Sequence, residues 1–120
     1  MVKIVYCIRK RADISSQDFY KYWLEKHAPL VRRLAGATQA KKYIQSHVIE
    51  PEYNDALVRL RGVAKPYDGI TEVWFESMES FYTSEAQEAR KKLIDDEAKF
   101  IDLSRSSVFI TEEHLIFDLT

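Results

Sequence analysis

A chain of 120 residues with 46% hydrophobic and 31% charged side chains can build one hydrophobic core but not two, and this balance excludes a disordered polypeptide. Eighteen basic residues against nineteen acidic ones leave a net charge of −1, without the basic excess that a phosphate backbone demands, so no nucleic-acid partner is expected. No apolar run reaches the length of a membrane span. The opening MVKIVYCIRKR lacks the features of a secretory signal, and a cytoplasmic protein without a membrane partner is expected. The single Cys7 can form neither an internal disulfide nor a thiolate metal site.

In chain order, Val2 to Arg9 is rich in β-branched and aromatic residues and has the length of a strand. Ser16 then reads as a helix N-cap, with Asp18 in the first turn, where a carboxylate suits the helix dipole. Phe19, Tyr22, Trp23, Leu30 and Leu34 recur with the period of one buried helical face, and Gly36 is the expected stop. Within this helix Pro29 lacks a backbone donor and biases Ala28 away from helical angles, which predicts a kink or restart beside His27.

A second strand is predicted over Lys42 to Ile49, ending at Pro51. A connection of about twenty residues follows, in which Asn54 can cap a short helix ending near Gly62; long connections in compact domains are often functional. Pro66-Tyr67-Asp68-Gly69 is a turn signal, with Asp68 serving the turn, and Ile70 to Glu76 is a third strand. Ser77 caps the next helical stretch, and Ser84 with Gln87 forms a capping box that restarts it. Asp95 or Asp96 is a further cap candidate before Phe100 and Ile101. Ser107 to Thr111 is the fourth strand, and His114 to Leu119 a possible short edge strand.

The order strand, helix, strand, strand, helix, strand is the split βαβ arrangement of an α+β, ferredoxin-like fold, and residues 1–120 read as a single domain. Helices in that order cover one sheet face. Because every strand is apolar on both sides, the other face, holding Ile4 or Val5, Tyr43 or Ile44, and Val73 or Trp74, needs a partner, and a homodimer through the sheet is the simplest one.

His27 lies at the edge of the apolar helix face, shared with Tyr20 and Val31. It reads either as a boundary histidine packed on its neighbours or, being able to titrate near neutrality, as a general acid or base facing a cavity between helix and sheet.

Phe19-Tyr20-Lys21-Tyr22-Trp23, His27-Ala28-Pro29-Leu30, Tyr67-Asp68-Gly69, Glu72-Val73-Trp74-Phe75 and the run Asp96 to Asp102 together resemble the EthD-like family of dimeric α+β barrel proteins over nearly the whole chain. The resemblance implies a ferredoxin-like subunit, a sheet-to-sheet dimer and a ligand cavity between helices and sheet. It implies no single reaction, since the wider group includes proteins linked to ether degradation, methylmuconolactone isomerases, and polyketide cyclases or dehydratases. Similarity to the isomerases implies a pair formed by His27 and Tyr43. Their third-strand cysteine falls on Val73 here, and their connection histidine has no counterpart between Glu50 and Gly69, which argues against the same isomerisation and leaves a different proton transfer by His27 open.

Strand period places Tyr43, Gln45 and His47 on one face of the second strand and Glu72, Trp74 and Glu76 on one face of the third, and either set could line the cavity. His47 reads equally as a surface or a pocket residue, and Trp74 as core packing or a pocket wall. Glu72, a carboxylate in a central apolar strand, would orient His27, hold a substrate hydroxyl or form a salt bridge to an arginine. His27, His47 and His114 have no metal-ligand spacing, and neither a phosphate-binding glycine loop nor a Gly-x-Ser-x-Gly elbow is present, so neither metal nor cofactor is expected. The sequence thus predicts a cofactor-independent lyase or isomerase for a small apolar carbonyl, lactone or phenolic compound. His27 and Tyr43 would be catalytic, with Trp23, His47, Glu72 and Trp74 binding substrate. The alternative is a non-catalytic binding or accessory protein of a degradation pathway.

Overall fold

The computed structural model describes all 120 residues. Strands β1 (Val2–Ile8), β2 (Lys42–His47), β3 (Gly69–Phe75) and β4 (Ser107–Thr111) form one antiparallel sheet in the order β2-β3-β1-β4. This is the α+β, ferredoxin-like arrangement the element order predicts.

The first helical layer is α1 (Ser16–Tyr22), a π-helical turn (Trp23–His27), α2 (Ala28–Arg33) and α3 (Ala35–Thr38). Its N-cap is Ser15, one residue before the expected Ser16, and the Ser15 hydroxyl accepts from the Asp18 amide. Pro29 does not break the helix. Its missing donor and the crowding of its ring are absorbed by the wide turn that precedes it, in which the Ala28 amide reaches the Trp23 carbonyl. Gly36 is not the stop either: the helix runs to Thr38 and ends where Gln39 takes left-handed angles (φ 62).

The connection after β2 holds α4 (Pro51–Arg61), which buries no residue. Asn54 is not its cap; its side-chain amide turns back to the Ile49 carbonyl at 2.6 Å, while Pro51 at the helix start needs no acceptor for a proton it lacks. Gly62 ends the helix at φ 63, as expected of a glycine there.

The second layer is α5 (Met78–Phe81), capped by Ser77, and α6 (Ser84–Glu97), capped by Thr83 rather than by Ser84. Neither Asp95 nor Asp96 interrupts α6. A short 3-10 turn (Leu103–Arg105) leads into β4. The stretch His114 to Leu119 pairs with no strand, and Leu115, Ile116, Phe117 and Leu119 are largely exposed.

Pairing registers divide the sheet into two faces. Ile4 faces Val73, Tyr6 faces Thr71 and Tyr43 faces Val73 on the side that meets the helices; Lys3 with Trp74, Val5 with Glu72 and Ile44 with Glu72 lie on the other. The core, Ile8, Phe19, Trp23, Phe100 and Ile101, sits at one end of the helical side. There Gly69 is required for space: a Cβ would stand 2.5 Å from the Trp23 ring and 2.8 Å from the Ser46 carbonyl oxygen. The turn before β3 is thus built around the Trp23 indole.

Candidate active site

Beside the core a cavity of about 460 Å³ opens between the helical layer and the inner sheet face, and 15 of its 21 lining residues are hydrophobic, which suits an apolar ligand of modest size. Its polar groups come from separate elements. Tyr6 rises from β1, His27 from the π turn, Tyr43 from β2, Thr71 from β3, and Arg90 and Glu97 from α6.

His27 is only 5% exposed, and its Nδ1 stands 2.7 Å from Asp96 Oδ2. The other Asp96 oxygen accepts from the Tyr22 hydroxyl at 2.6 Å, and Lys99 Nζ approaches it at 3.4 Å. Burial works against the ionised Asp96, but hydrogen bonds from Tyr22 and His27 outweigh it and hold this carboxyl below the usual range. Burial likewise holds His27 below its ordinary value, with Asp96 opposing. The pair is therefore a neutral imidazole beside a carboxylate. An ionised carboxylate can only accept, so Nδ1 carries the proton, and Nε2, which meets no protein group, is left as a free lone pair.

Tyr43 lines the same cavity, and its hydroxyl accepts from Gln45 Nε2 at 2.8 Å, leaving its own proton to donate. The same amide nitrogen donates to the Trp23 carbonyl at 2.9 Å, which ties β2 to the π turn. Trp23 is fully buried and forms part of the wall, its indole Nε1 without a partner. His47 is a support rather than a lining residue. Its ring stacks on Trp23 with centroids 4.4 Å apart, and its Nε2 meets Gln45 Oε1 at 2.8 Å.

Glu72 and Trp74 are not brought to this cavity. Both lie on the opposite sheet face, where Glu72 pairs with Lys3 Nζ at 2.8 Å, and Lys3 and Lys42 stand over the Trp74 ring. The Trp74 indole nitrogen donates to Glu113. Of the readings open for Glu72, the ion pair is the one formed, with lysine as partner; strand alternation could not say which face met the helices.

Two acids were missed as site residues. In the sequence Asp96 reads as a cap candidate, and Glu97 stands only within the run Asp96 to Asp102 that carries the family resemblance, with no site role. Their spacing did carry a signal, because Leu93, Asp96, Glu97, Phe100 and Ile101 recur at three and four residues and place both carboxyls along the buried stripe of α6. Burial pushes Glu97 up to about 7, hydrogen bonding to Tyr6 pulls it down, and the Asp96 charge raises it. No group of three or more His, Cys, Asp and Glu side chains is placed to hold a metal ion.

A ferredoxin-like α+β subunit with an apolar cavity between helices and sheet and a buried histidine–carboxylate pair defines the class. The model of the EthD domain matches residues 11–104, and the chain belongs to the EthD family. It is 30% identical over 105 residues to the dehydratase ustZ of Ustilaginoidea virens, covering 84% of this chain and 75% of that protein. Among solved structures it resembles an EthD family protein of Bacillus halodurans (23% identity, 95% of this chain and 99% of that one, TM-score 0.59). It also resembles a dimeric protein of unknown function and ferredoxin-like fold from Bacteroides fragilis (11% identity, 93% and 95%, TM-score 0.57). No helix is long and apolar enough to cross a membrane.

Proposed function

We propose that this chain is a cofactor-independent enzyme in which His27 moves a proton beside a carbonyl of a small, largely apolar compound. The observation that carries the reading is the His27–Asp96 pair, at 2.7 Å, set in the wall of an apolar cavity with Nε2 unengaged. Asp96 holds the tautomer that leaves Nε2 basic, and burial keeps the ring neutral near pH 7, the state a general base requires. Tyr43 would donate its proton to the oxygen on which charge develops, and Trp23 would shape the wall. The family and the curated dehydratase relative support a small-molecule role, enzymatic or binding; a lyase or isomerase is the finer reading argued from the site. A dimeric structural neighbour fits a homodimer, and the exposed Ile44, Ile70 and Phe109 of this chain favour the outer sheet face as the contact.

The test uses nitrobenzisoxazole, an apolar probe whose ring opens when a base removes one carbon-bound proton. Wild-type protein should open it with turnover that falls about 10²–10⁴-fold in His27→Ala and markedly in Asp96→Asn, whose amide can present a donor to Nδ1 and favour the wrong tautomer. Tyr43→Phe should lower the rate more than the affinity. The predominantly apolar lining also favours a second reading, a protein that only sequesters its ligand. On that reading the variants alter probe binding alone, and equal turnover in wild type and His27→Ala would rule out the base.

A further inference from the structure

Glu97 is the cavity group that the proton-transfer scheme leaves unused. It ends α6 next to Asp96, faces the Tyr6 hydroxyl from β1, and lines the same chamber as His27 and Tyr43. Tyr6, His27, Tyr43 and Glu97 thus open onto one chamber from four separate elements. Shifting a proton within one compound can be done by a single group that takes it and returns it. Hydroxide is a poor leaving group, so loss of water from adjacent carbons gains from a second group, an acid at the departing oxygen opposite the base at the carbon.

We propose that Glu97 is the general acid of this site and that the substrate is a β-hydroxy carbonyl compound, from which His27 and Glu97 together eliminate water. The inference rests on the reading of His27 as the base. His27 Nε2 takes the proton from the carbon between the carbonyl and the carbinol. That C–H electron pair becomes the new carbon–carbon double bond as the C–O bond breaks. The Glu97 carboxyl proton passes to the leaving oxygen, and water departs. The products are an α,β-unsaturated carbonyl compound and water, with no change of oxidation state overall. Imidazolium and carboxylate then remain, and transfer of the proton from His27 to Glu97 restores the starting forms. Tyr43 holds the carbonyl oxygen throughout.

The resting protonation states suit the two roles. Burial raises Glu97 to about 7, Tyr6 opposing and Asp96 assisting, so that a large share is protonated near neutrality, where His27 is neutral. Arg90 on the same helix lines the chamber, and burial lowers its own value. Tyr6 and Tyr43, both pushed upward by burial, remain protonated.

The experiment compares two probes and one titration in the intact chain. The aldol of benzaldehyde and acetone is a β-hydroxy ketone that loses water to give a conjugated enone, whereas nitrobenzisoxazole expels a phenolate that needs no acid. Glu97→Gln should lower dehydration of the aldol, relative to nitrobenzisoxazole opening, by about 10²–10³-fold, while His27→Ala lowers both. The Glu97 carboxyl carbon, assigned by its loss in Glu97→Gln, should titrate in the ¹³C spectrum at about 7. A titration near 4–5, with ordinary glutamates, or an unchanged ratio of the two rates in Glu97→Gln, overturns the role of Glu97 whatever His27 does. Loss of aldol dehydration in Glu97→Gln with nitrobenzisoxazole opening untouched in His27→Ala would overturn the base instead, and the paired elimination with it.

Discussion

A carboxyl that keeps its proton in the folded state and releases it in the unfolded one makes stability depend on pH. For Glu97 the folded value is about 7 against an ordinary 4.5. Native protein therefore binds more protons than unfolded chain between these values. The contribution of Glu97 is fully present below about pH 4.5 and is lost as pH rises through about 7. The full difference corresponds to roughly 3–4 kcal/mol, most of it lost between about pH 5 and about pH 8. His27, held below its ordinary value, has the opposite sign, contributing above the unfolded value and losing that contribution as pH falls. Urea unfolding of wild type and Glu97→Gln at about pH 5 and about pH 8 separates the two, since the variant removes only the first. The variant should gain relative stability of about 2 kcal/mol at the higher pH; an equal difference at both pH values would contradict the burial of a protonated Glu97.

At the scale of elements, the π turn is what places His27. Pro29 imposes it, the Trp23 carbonyl accepts from Ala28 within the turn and from Gln45 on β2, and the following residues return to α-helix without a break. The indole at the head of the turn needs the room that Gly69 leaves in β3. Of the two groups a Cβ would meet, the Ser46 carbonyl at 2.8 Å is backbone and cannot rotate away. Gly69→Ala should therefore destabilise the fold by about 1–3 kcal/mol, visible as a lower urea midpoint. Because the displaced group is the Trp23 ring, the indole emission should shift as well. A variant with wild-type midpoint and spectrum would show that β3 and the π turn are not packed this tightly.

At the scale of the molecule, the outer sheet face and the segment after β4 are unfinished in one subunit. Ile44, Ile70 and Phe109 are each more than a third exposed on that face, and Leu115, Ile116, Phe117 and Leu119 extend beyond it. Glu113 turns back to Lys3 and Trp74, so the segment leaves along the same face. A second copy laid on this face would cover both, as the homodimer proposed above requires. Light scattering at micromolar concentration should give about twice 14.1 kDa, and Ile44→Asp, which places an unpaired charge in the apolar contact, should shift the protein to monomer. A wild-type protein that scatters as a monomer at every concentration would refute the homodimer.

The sequence by itself determined the strand and helix order, and with it the ferredoxin-like class, because hydrophobic period and turn chemistry are local properties. It also drew His27 into view through the nearby Pro29, whereas Tyr43 entered as its partner only through the resemblance to the isomerases. Residue by residue, it could not say which face of a strand meets the helices. Strands that are apolar on both sides have no polar face to orient them, and so Glu72 and Trp74 were placed with the pocket although they lie behind it, paired with Lys3 and Lys42. Nor could it join Asp96 to His27, 69 positions apart, or bring Glu97 to Tyr6. Those pairs exist only once α6 packs across the π turn and β1. Burial, which raises Glu97 and lowers His27, is a property of that packing and has no counterpart in the unfolded chain.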